Sequence, residues 1–328
     1  MTREVLAVKP RGFCAGVVRA IGTVEIVLQR CGPVYLKHAI VHNEVVVAEL
    51  EDKGAIFVER VEDVPAGAIV VFSAHGSPPQ DYEAAKTRGL LVVDATCPLV
   101  ARVHNEARKC AREGRAIFVI GHRDHVEVKG TLGQAEAEGA DVHLVDPDEP
   151  SWDHLAESDD PPVAVLTQTT LSQDDVAPAV EKICASFPDA VVKVDICYAT
   201  TNRQEAVKHL ATEVDLVLVI GSQQSSNSRR LAEAARRAGC PAYLIASKEE
   251  IPWVWVRGGL RIGVTSGAST PDRLVEEVIA SLEAAGYRRR EIEVVREHVT
   301  FKLPEEIQTL IGLDAAFRVG PNGIGHGG

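Results

Sequence analysis

Three cysteines in this chain share one local pattern: a short apolar run before the cysteine and helical periodicity after it. The apolar runs are residues 5–8 before Cys14, 90–93 before Cys97 and 191–194 before Cys197. Short runs rich in β-branched residues are typical of buried strands in a parallel sheet. Apolar residues at helical spacing follow each cysteine. Each cysteine is therefore predicted to lie between the carboxyl end of a strand and the start of a helix.

The spacing of polar residues also repeats after the three cysteines. The residues 28 positions after Cys14, Cys97 and Cys197 are, in that order, His42, His125 and Ser225. A second polar loop follows another apolar run in each case, at His75, Thr169 and Ser269. One equal offset could arise by chance, but three in matching contexts indicate an internal repeat.

We therefore predict an α/β fold of three related domains, each a small parallel sheet with helices on its faces. The predicted domains are residues 1–90, 91–189 and 190–286, followed by a C-terminal appendage of residues 287–328 that ends in a flexible glycine-rich tail. Ligands bind beyond the carboxyl ends of strands in open parallel sheets. Three such domains around a pseudo-threefold axis would point their loops at one centre.

Three converging cysteines suggest a metal centre. Thiolates suit zinc or an iron–sulfur cluster, and nearby helix N-termini favour the thiolate form. In a four-iron cubane, three cysteine ligands would leave one iron open to substrate. The alternative is that Cys14, Cys97 and Cys197 are buried core residues, a common environment for free cysteine. The shared register favours a metal centre over that alternative.

The polar loops have the composition of an anion-binding pocket. Residues 42–43, 75–77, 225–228 and 269–270 supply imidazole, hydroxyl and amide donors without a lysine or arginine. Neutral donors of this kind, together with helix N-termini, can hold a phosphate group. We therefore expect these loops to bind an anionic small molecule.

Residues 121–127 combine two histidines with a carboxylate. His122, His125 and Glu127 could together bind zinc. We favour proton transfer as the role of Glu127, with His125 helping to bind the anion and Thr169 orienting the proton relay.

Charge and hydropathy exclude two classes of partner. A formal net charge of −12 argues against nucleic-acid binding, which requires a basic surface. No stretch approaches the roughly 18–20 uncharged apolar residues that cross a membrane. The first residues are too charged and their apolar run too short for a signal peptide. We expect a cytoplasmic protein.

With these residues in place, the chain resembles the 4-hydroxy-3-methylbut-2-enyl diphosphate reductases of the non-mevalonate isoprenoid pathway. The matching stretches occur in order and include residues 10–17, 41–43, 72–76, 94–100, 121–127, 167–172, 195–206, 225–228 and 267–269. One departure is Val126, where a proline is expected. That difference removes none of the candidate site residues.

The resemblance implies a trefoil of three α/β domains around a central [4Fe–4S] cluster, with Cys14, Cys97 and Cys197 as ligands. It implies a catalytic group of Glu127, Thr169 and His125. Substrate binding is implied for His42, His75, His125, Thr169, Ser225, Ser226, Asn227 and Ser269.

The implied reaction is a two-electron, two-proton reductive dehydroxylation that gives isopentenyl diphosphate and dimethylallyl diphosphate. Electrons would come from a ferredoxin or flavodoxin, because no flavin or nicotinamide fingerprint is evident. Two alternatives remain at this point. One is a zinc-dependent hydrolase of a phosphorylated substrate, using His122, His125 and Glu127. The other is a non-enzymatic iron–sulfur sensor, which would need no anion pocket.

Overall fold

The structure is a computed structural model of the 328-residue chain. It describes residues 3–149, 162–256, 258–311, 317–320 and 323–326, with side chains up to residue 308.

Strands and helices alternate along most of the described chain. The strands are β1 Glu4–Lys9, β2 Val34–Lys37, β3 Ala55–Val58, β4 Ile69–Phe72, β5 Leu91–Asp94, β6 Ala116–Ile120, β7 Val142–Val145, β8 Val163–Thr167, β9 Val191–Val192, β10 Leu216–Ile220, β11 Ala242–Ile245, β12 Ile262–Ser266, β13 Arg288–Glu293, β14 Phe301–Lys302, β15 Phe317–Gly320 and β16 Gly323–His326. The α-helices are α1 Ala15–Cys31, α2 Glu44–Asp52, α3 Pro79–Thr87, α4 Pro98–Arg112, α5 Val126–Glu136, α6 Gln173–Ser186, α7 Tyr198–Ala211, α8 Ser226–Arg237, α9 Trp253–Val256, α10 Asp272–Ala284 and α11 Glu305–Ile311.

Three parallel sheets form the body of the molecule, as the repeat predicts. The first sheet has the order β3-β2-β4-β5, the second β7-β6-β8-β9 and the third β11-β10-β12-β1-β13. Every pairing within them is parallel. The central strands β6, β10 and β12 are buried along their whole length, because helices cover both faces of a parallel sheet.

The strand that leads to each cysteine belongs to the sheet of the domain before that cysteine. Strand β5, which leads to Cys97, pairs with β4, and β9, which leads to Cys197, pairs with β8. Strand β1, which leads to Cys14, lies in the third sheet between β12 and β13. The boundaries predicted at residues 90, 189 and 286 therefore cut β5, β9 and β13 from their sheets. An apolar run predicts a strand, but it does not reveal which strand will be its partner.

Each helix that follows a cysteine packs on the next sheet. Helix α1 packs through Val24 and Val27 against the first sheet. Helix α4 packs through Val103 against the second sheet, and α7 packs through Val207 and Leu210 against the third. Each cysteine is thus the point where the chain passes from one domain to the next. This topology places all three cysteines at the centre.

The C-terminal appendage adds a small antiparallel sheet of β14, β15 and β16. Part of the segment predicted as a flexible tail, Gly323–His326, is therefore a strand in the structure. Backbone hydrogen bonds stabilise a strand even where glycine supplies no side chain. Among the described residues, no helix is long and apolar enough to cross a membrane.

Candidate functional site

Loops from all three domains line one central cavity of about 100 Å³. Among its lining residues are Cys14, His42, His75, Cys97, His125, Glu127, Thr169, Cys197, Ser225, Ser226, Asn227 and Ser269. The structure thus brings together every residue predicted for the metal, substrate-binding and catalytic groups, whereas His122 of the alternative zinc site is not among the lining residues. The first and last of them, Cys14 and Ser269, are 255 positions apart along the chain. Only the pseudo-threefold arrangement makes them neighbours.

The sheet register explains why the polar loops surround the cysteines. Cys14, Cys97 and Cys197 occupy the N-cap positions of α1, α4 and α7. Each cysteine amide donates a hydrogen bond to the loop after the neighbouring strand: Cys14 to the carbonyl of Ala268 (3.1 Å), Cys97 to Ala74 (2.9 Å) and Cys197 to Thr169 (3.0 Å). The second polar loop of each repeat is therefore held beside a cysteine by backbone pairing.

The thiols themselves are partly buried and form no disulfide. Burial and, to a smaller extent, the charge of the nearby Cys14 together raise the pKa of Cys97 to about 12. Burial likewise raises the pKa of Cys197 to about 11. Backbone amides at the start of α4 lower the pKa of Cys97, as the helix N-terminus predicts, but the cost of burying a thiolate is larger. A bound metal centre would reverse that balance, because binding displaces the thiol protons.

The three cysteine sulfur atoms do not lie close enough together to bind a single metal ion as a group. A single tetrahedral ion with sulfur ligands would bring them within about 3.8 Å of one another. Among the described His, Cys, Asp and Glu side chains, the one group of three with all ligand atoms within 4.8 Å is His122, Asp146 and Asp148. The three cysteines are not such a group. All three cysteines nonetheless line one cavity, and three sulfur donors match the donor set of an iron–sulfur cluster.

Gly16 keeps the space between two of the sulfur atoms open. A Cβ atom at this position would lie 2.7 Å from the Sγ of Cys97 and 3.8 Å from the Sγ of Cys14. A side chain at position 16 would therefore collide with Cys97. The glycine thus preserves the room that a group bound to both sulfur atoms would need.

Three imidazole rings converge on one side of the cavity. The ring of His42 lies 4.2 Å from that of His75 and 5.1 Å from that of His125, measured between centroids. Burial lowers the pKa of all three, that of His125 to about 3, because charging three adjacent rings in a dry pocket is costly. An anion at this position would offset that cost.

The two nitrogens of His125 have different roles. Its Nδ1 accepts a hydrogen bond of 3.3 Å from the Glu127 amide, so the neutral ring carries its proton on Nε2. The Nε2 of His42 is buried without a hydrogen-bond partner among the described residues. Buried polar atoms are normally satisfied, so an unpartnered one in a cavity indicates a place for a ligand.

Among the described residues, Glu127 is the one carboxylate that lines this cavity. The residue is 2% exposed, and its pKa is raised to about 7, mainly because burial penalises the charged form. Oε1 accepts a hydrogen bond of 2.6 Å from the Thr169 amide, and Oε2 accepts one of 3.0 Å from the Thr169 hydroxyl. These bonds lower the pKa, but burial outweighs them. A carboxyl group with a pKa near 7 can both hold and release a proton at neutral pH.

The third domain supplies hydroxyl and amide donors instead of imidazoles. Ser225 caps α8, and its Oγ accepts a hydrogen bond of 3.2 Å from the Ser228 amide. Asn227 accepts a bond of 2.9 Å from the Ala268 amide, which holds the two polar loops of this domain together. The Oγ of Ser226 is buried without a hydrogen-bond partner in the described structure. It is therefore free to contact a ligand.

His122 does not join this cavity. Its Nε2 lies 2.9 Å from Arg230, and its Nδ1 lies 3.5 Å from Asp146 and 3.4 Å from Asp148. Glu127 instead faces Thr169 on the other side of the loop. Within the described residues the zinc site of His122, His125 and Glu127 is therefore not assembled.

Thr200 lines the cavity but is not among the site residues predicted from the sequence. Its hydroxyl lies 3.2 Å from the Sγ of Cys197 and also accepts a hydrogen bond of 3.2 Å from the side chain of Asn227. The signal was present, because a residue three positions after Cys197 on a helix lies on the same face. Thr200 thus links Cys197 to the side chain of Asn227.

Comparisons with known proteins agree with this geometry. The chain is 48% identical to a protein of Pectobacterium carotovorum named 4-hydroxy-3-methylbut-2-enyl diphosphate reductase, over 93% of this chain and 98% of that protein. It is 49% identical to a protein of the same name from Aromatoleum aromaticum, over 94% of this chain and 98% of that protein.

Solved structures also resemble this fold. The E-1-hydroxy-2-methyl-but-2-enyl-4-diphosphate reductase of Plasmodium falciparum matches 95% of this chain and 99% of its own, with a TM-score of 0.89 and 37% identity. A second structure, (E)-4-hydroxy-3-methyl-but-2-enyl diphosphate reductase, described as the terminal enzyme of the non-mevalonate pathway, matches 86% of this chain and all of its own, with a TM-score of 0.64 and 34% identity. The model of the family described as LytB protein matches residues 5–283. This chain belongs to the LytB protein family.

Proposed function

We propose that this protein is the reductase that removes the C4 hydroxyl group of 4-hydroxy-3-methylbut-2-enyl diphosphate, giving isopentenyl diphosphate and dimethylallyl diphosphate. The reaction consumes two electrons and two protons and releases water. The observation that carries the proposal is the shared cavity, in which three free thiols, three neutral imidazoles and one buried carboxyl group meet. Family membership and the names of the relatives support the same activity.

We further propose that Cys14, Cys97 and Cys197 hold a [4Fe–4S] cluster. The sulfur donor set, the shared cavity of the three thiols and the open space beside Gly16 support this assignment. When bound, the cluster would supply the electrons and a Lewis-acidic iron without a thiolate ligand. The iron–sulfur sensor fits less well, because it gives no reason for a cavity lined with anion donors.

The diphosphate would be bound by His42, His75 and His125 together with Ser225, Ser226, Asn227 and Ser269. Neutral donors in a buried pocket bind an anion strongly, because water does not compete for it. The unpartnered Nε2 of His42 and Oγ of Ser226 would gain the hydrogen bonds that they lack among the described residues. Binding the anion would also stabilise the charged form of the imidazoles.

Glu127 would deliver a proton to the departing hydroxyl group. Its protonated Oε2 would donate to the Thr169 hydroxyl, which would in turn donate toward the cavity. The 2.6 Å bond from the Thr169 amide fixes the other carboxyl oxygen, so the proton is held in one orientation. Electrons would come from a ferredoxin or flavodoxin.

Anaerobic purification followed by iron and sulfide analysis tests the cofactor and the reaction together. We expect about four irons per chain and substrate-dependent oxidation of a reduced viologen dye, with both diphosphate products detected by mass spectrometry. A colourless protein that contains zinc, or a loaded protein that does not oxidise the dye with substrate, would overturn the proposal.

Two cysteine variants assign the ligands. Cys97→Ser should lose stable iron binding, because a serine hydroxyl is a poor ligand for iron–sulfur chemistry. Cys184→Ser is the matched control, since Cys184 is a partly buried free thiol on α6 that does not line the cavity. It should retain wild-type iron content and activity.

A further inference from the structure

Three arginines follow the three cysteines at similar, though not identical, distances along the chain. Arg19 lies five positions after Cys14, Arg102 five after Cys97 and Arg203 six after Cys197. They lie in the second turns of α1, α4 and α7, the helices that begin at the cysteines. The repeat thus extends to a set of cations that the proposed reaction does not use.

Each arginine reaches the chain just before the next cysteine around the centre. Arg19 Nη1 donates to the carbonyl of Thr96 (2.9 Å), Arg102 Nη2 to Oδ1 of Asp195 (3.3 Å) and Arg203 Nη2 to the carbonyl of Gly12 (2.9 Å). Thr96 directly precedes Cys97, while Asp195 and Gly12 lie two positions before Cys197 and Cys14. The three bonds close a ring, which we call the arginine clasp.

The fold gives these bonds a defined role. Each domain begins at one cysteine, where its first helix starts, and ends at the next, after its last strand. The distance between two cysteines therefore depends on how that helix sits relative to that strand. Packing of apolar side chains fixes this only loosely, because apolar contact is not directional. The arginine forms a directional hydrogen bond between the two ends of its domain. Each of the three pairs of cysteines therefore has one such bond.

The appendage reinforces two members of the clasp. Arg203 is fully buried and also pairs with Glu297 (3.0 Å), and the buried Arg19 donates from Nε to the carbonyl of Lys302 (2.7 Å). Buried charges persist only when they are paired in this way. Arg102 differs, because 57% of its side chain is exposed and it meets the buried carboxylate of Asp195.

We propose that Arg19, Arg102 and Arg203 are positioning residues that hold the three cysteine sulfur atoms at the spacing of the metal centre. This inference rests on the proposed iron–sulfur centre. Loosening one bond of the clasp is expected to let two sulfur ligands separate more often, so iron is lost faster and the electronic environment of the cluster changes.

Arg102→Ala in the loaded holoenzyme is the test, since an exposed side chain can be shortened without leaving a buried cavity. Iron release to a ferrous chelator should become roughly fivefold faster, the effect of one ion pair to a buried carboxylate. The electron paramagnetic resonance spectrum of the reduced protein should broaden. Arg102→Lys, which keeps the charge, should restore part of the slow release.

Arg112→Ala is the matched control. Arg112 lies on the same helix, is 65% exposed and forms an ion pair with Glu138, away from the cysteines. It should match Arg102→Ala in Tm but keep the wild-type spectrum and rate of iron release. Asp195→Asn should reproduce the effect of Arg102→Ala, and the double variant should add nothing, because both changes remove one bond.

Two failures can be told apart. A wild-type protein that carries no iron and sulfide would overturn the proposed function, and the clasp with it. A loaded wild type whose Arg102→Ala variant releases iron at the rate of the Arg112→Ala control, with an unchanged spectrum, would overturn the clasp alone.

Discussion

The first and second domains each place a glutamate 30 positions after their cysteine, yet the two carboxylates have opposite environments. Glu127 is 2% exposed and accepts two hydrogen bonds from Thr169 at the cavity wall. Glu44 is exposed and accepts a bond of 2.7 Å from the hydroxyl of Ser222. The position in the repeat therefore brings a residue to the central loops, but it does not decide whether that residue faces the cavity.

The start of the helix explains the difference. Helix α5 begins after the cap His125, so Glu127 is its second residue. Helix α2 begins one repeat position later, after the cap Asn43, so Glu44 is its first residue. A shift of one residue turns a side chain by about 100° around the helix axis. That rotation turns Glu44 toward the surface and leaves the first domain to supply imidazoles rather than an acid.

The largest contrast should come from replacing the two glutamates. Glu127→Gln removes the proton that leaves with the hydroxyl group, so kcat should fall by about 10²-fold or more, the usual contribution of a general acid. Glu44→Gln, the matched control, should stay within about twofold of wild type, because its exposed carboxylate contributes little. Anaerobic dye-oxidation assays on proteins of equal iron content measure both values. Equal activities for the two variants would show that burial of Glu127 has no chemical purpose.

The pH dependence of turnover should distinguish the two carboxylates next. A group with a pKa of about 7 that acts as an acid loses activity as the pH rises through 7. Thr169→Val removes the hydroxyl bond that stabilises the charged form, so the pKa of Glu127 should rise and the alkaline limb should move to higher pH. Asp195, whose negative charge also raises the pKa of Glu127, is unchanged in the variant. A limb that stays in place, or moves to lower pH, would assign it to another group.

The same comparison shows which features of the fold and the site can be predicted from the sequence. The 28-residue offset between Cys14 and His42 and its counterparts predicted three small parallel sheets and one set of central loops, because strand and helix periodicity are local properties. The sheet to which β5 belongs depends on pairing between distant strands, which a single apolar run does not encode. The environment of Glu44 depended on a one-residue choice between neighbouring caps, and boundaries are the least certain part of any pattern.

The pH dependence of the unfolding free energy should also reveal the burial of the Glu127 carboxyl group. Burial raises the pKa of Glu127 from 4.5 to about 7 in the folded protein. Its contribution to stability is therefore fully present below about 4.5 and is lost as the pH rises to about 7. Relative to Glu127→Gln, which does not ionise, the wild type should lose about 3 kcal/mol of unfolding free energy across that window. Thermal unfolding at pH 5 and pH 8 measures the change, and Glu44→Gln, which retains Glu127, should lose stability over this range as the wild type does.

The smallest effect concerns the cap that sets the register of α2. The Oδ1 of Asn43 accepts hydrogen bonds from the amides of Val45 (3.1 Å) and Val46 (3.2 Å), so this residue defines where the helix begins. Asn43→Ala should destabilise the protein by about 1 kcal/mol, whereas Asn43→Asp, which also caps well, should be nearly neutral. If the cap holds Glu44 out of the cavity, only the alanine variant should also alter substrate affinity, because a helix that starts earlier would turn Glu44 toward His42. Equal KM values in both variants, with the expected loss of Tm in one, would mean that strand packing rather than the cap fixes the register.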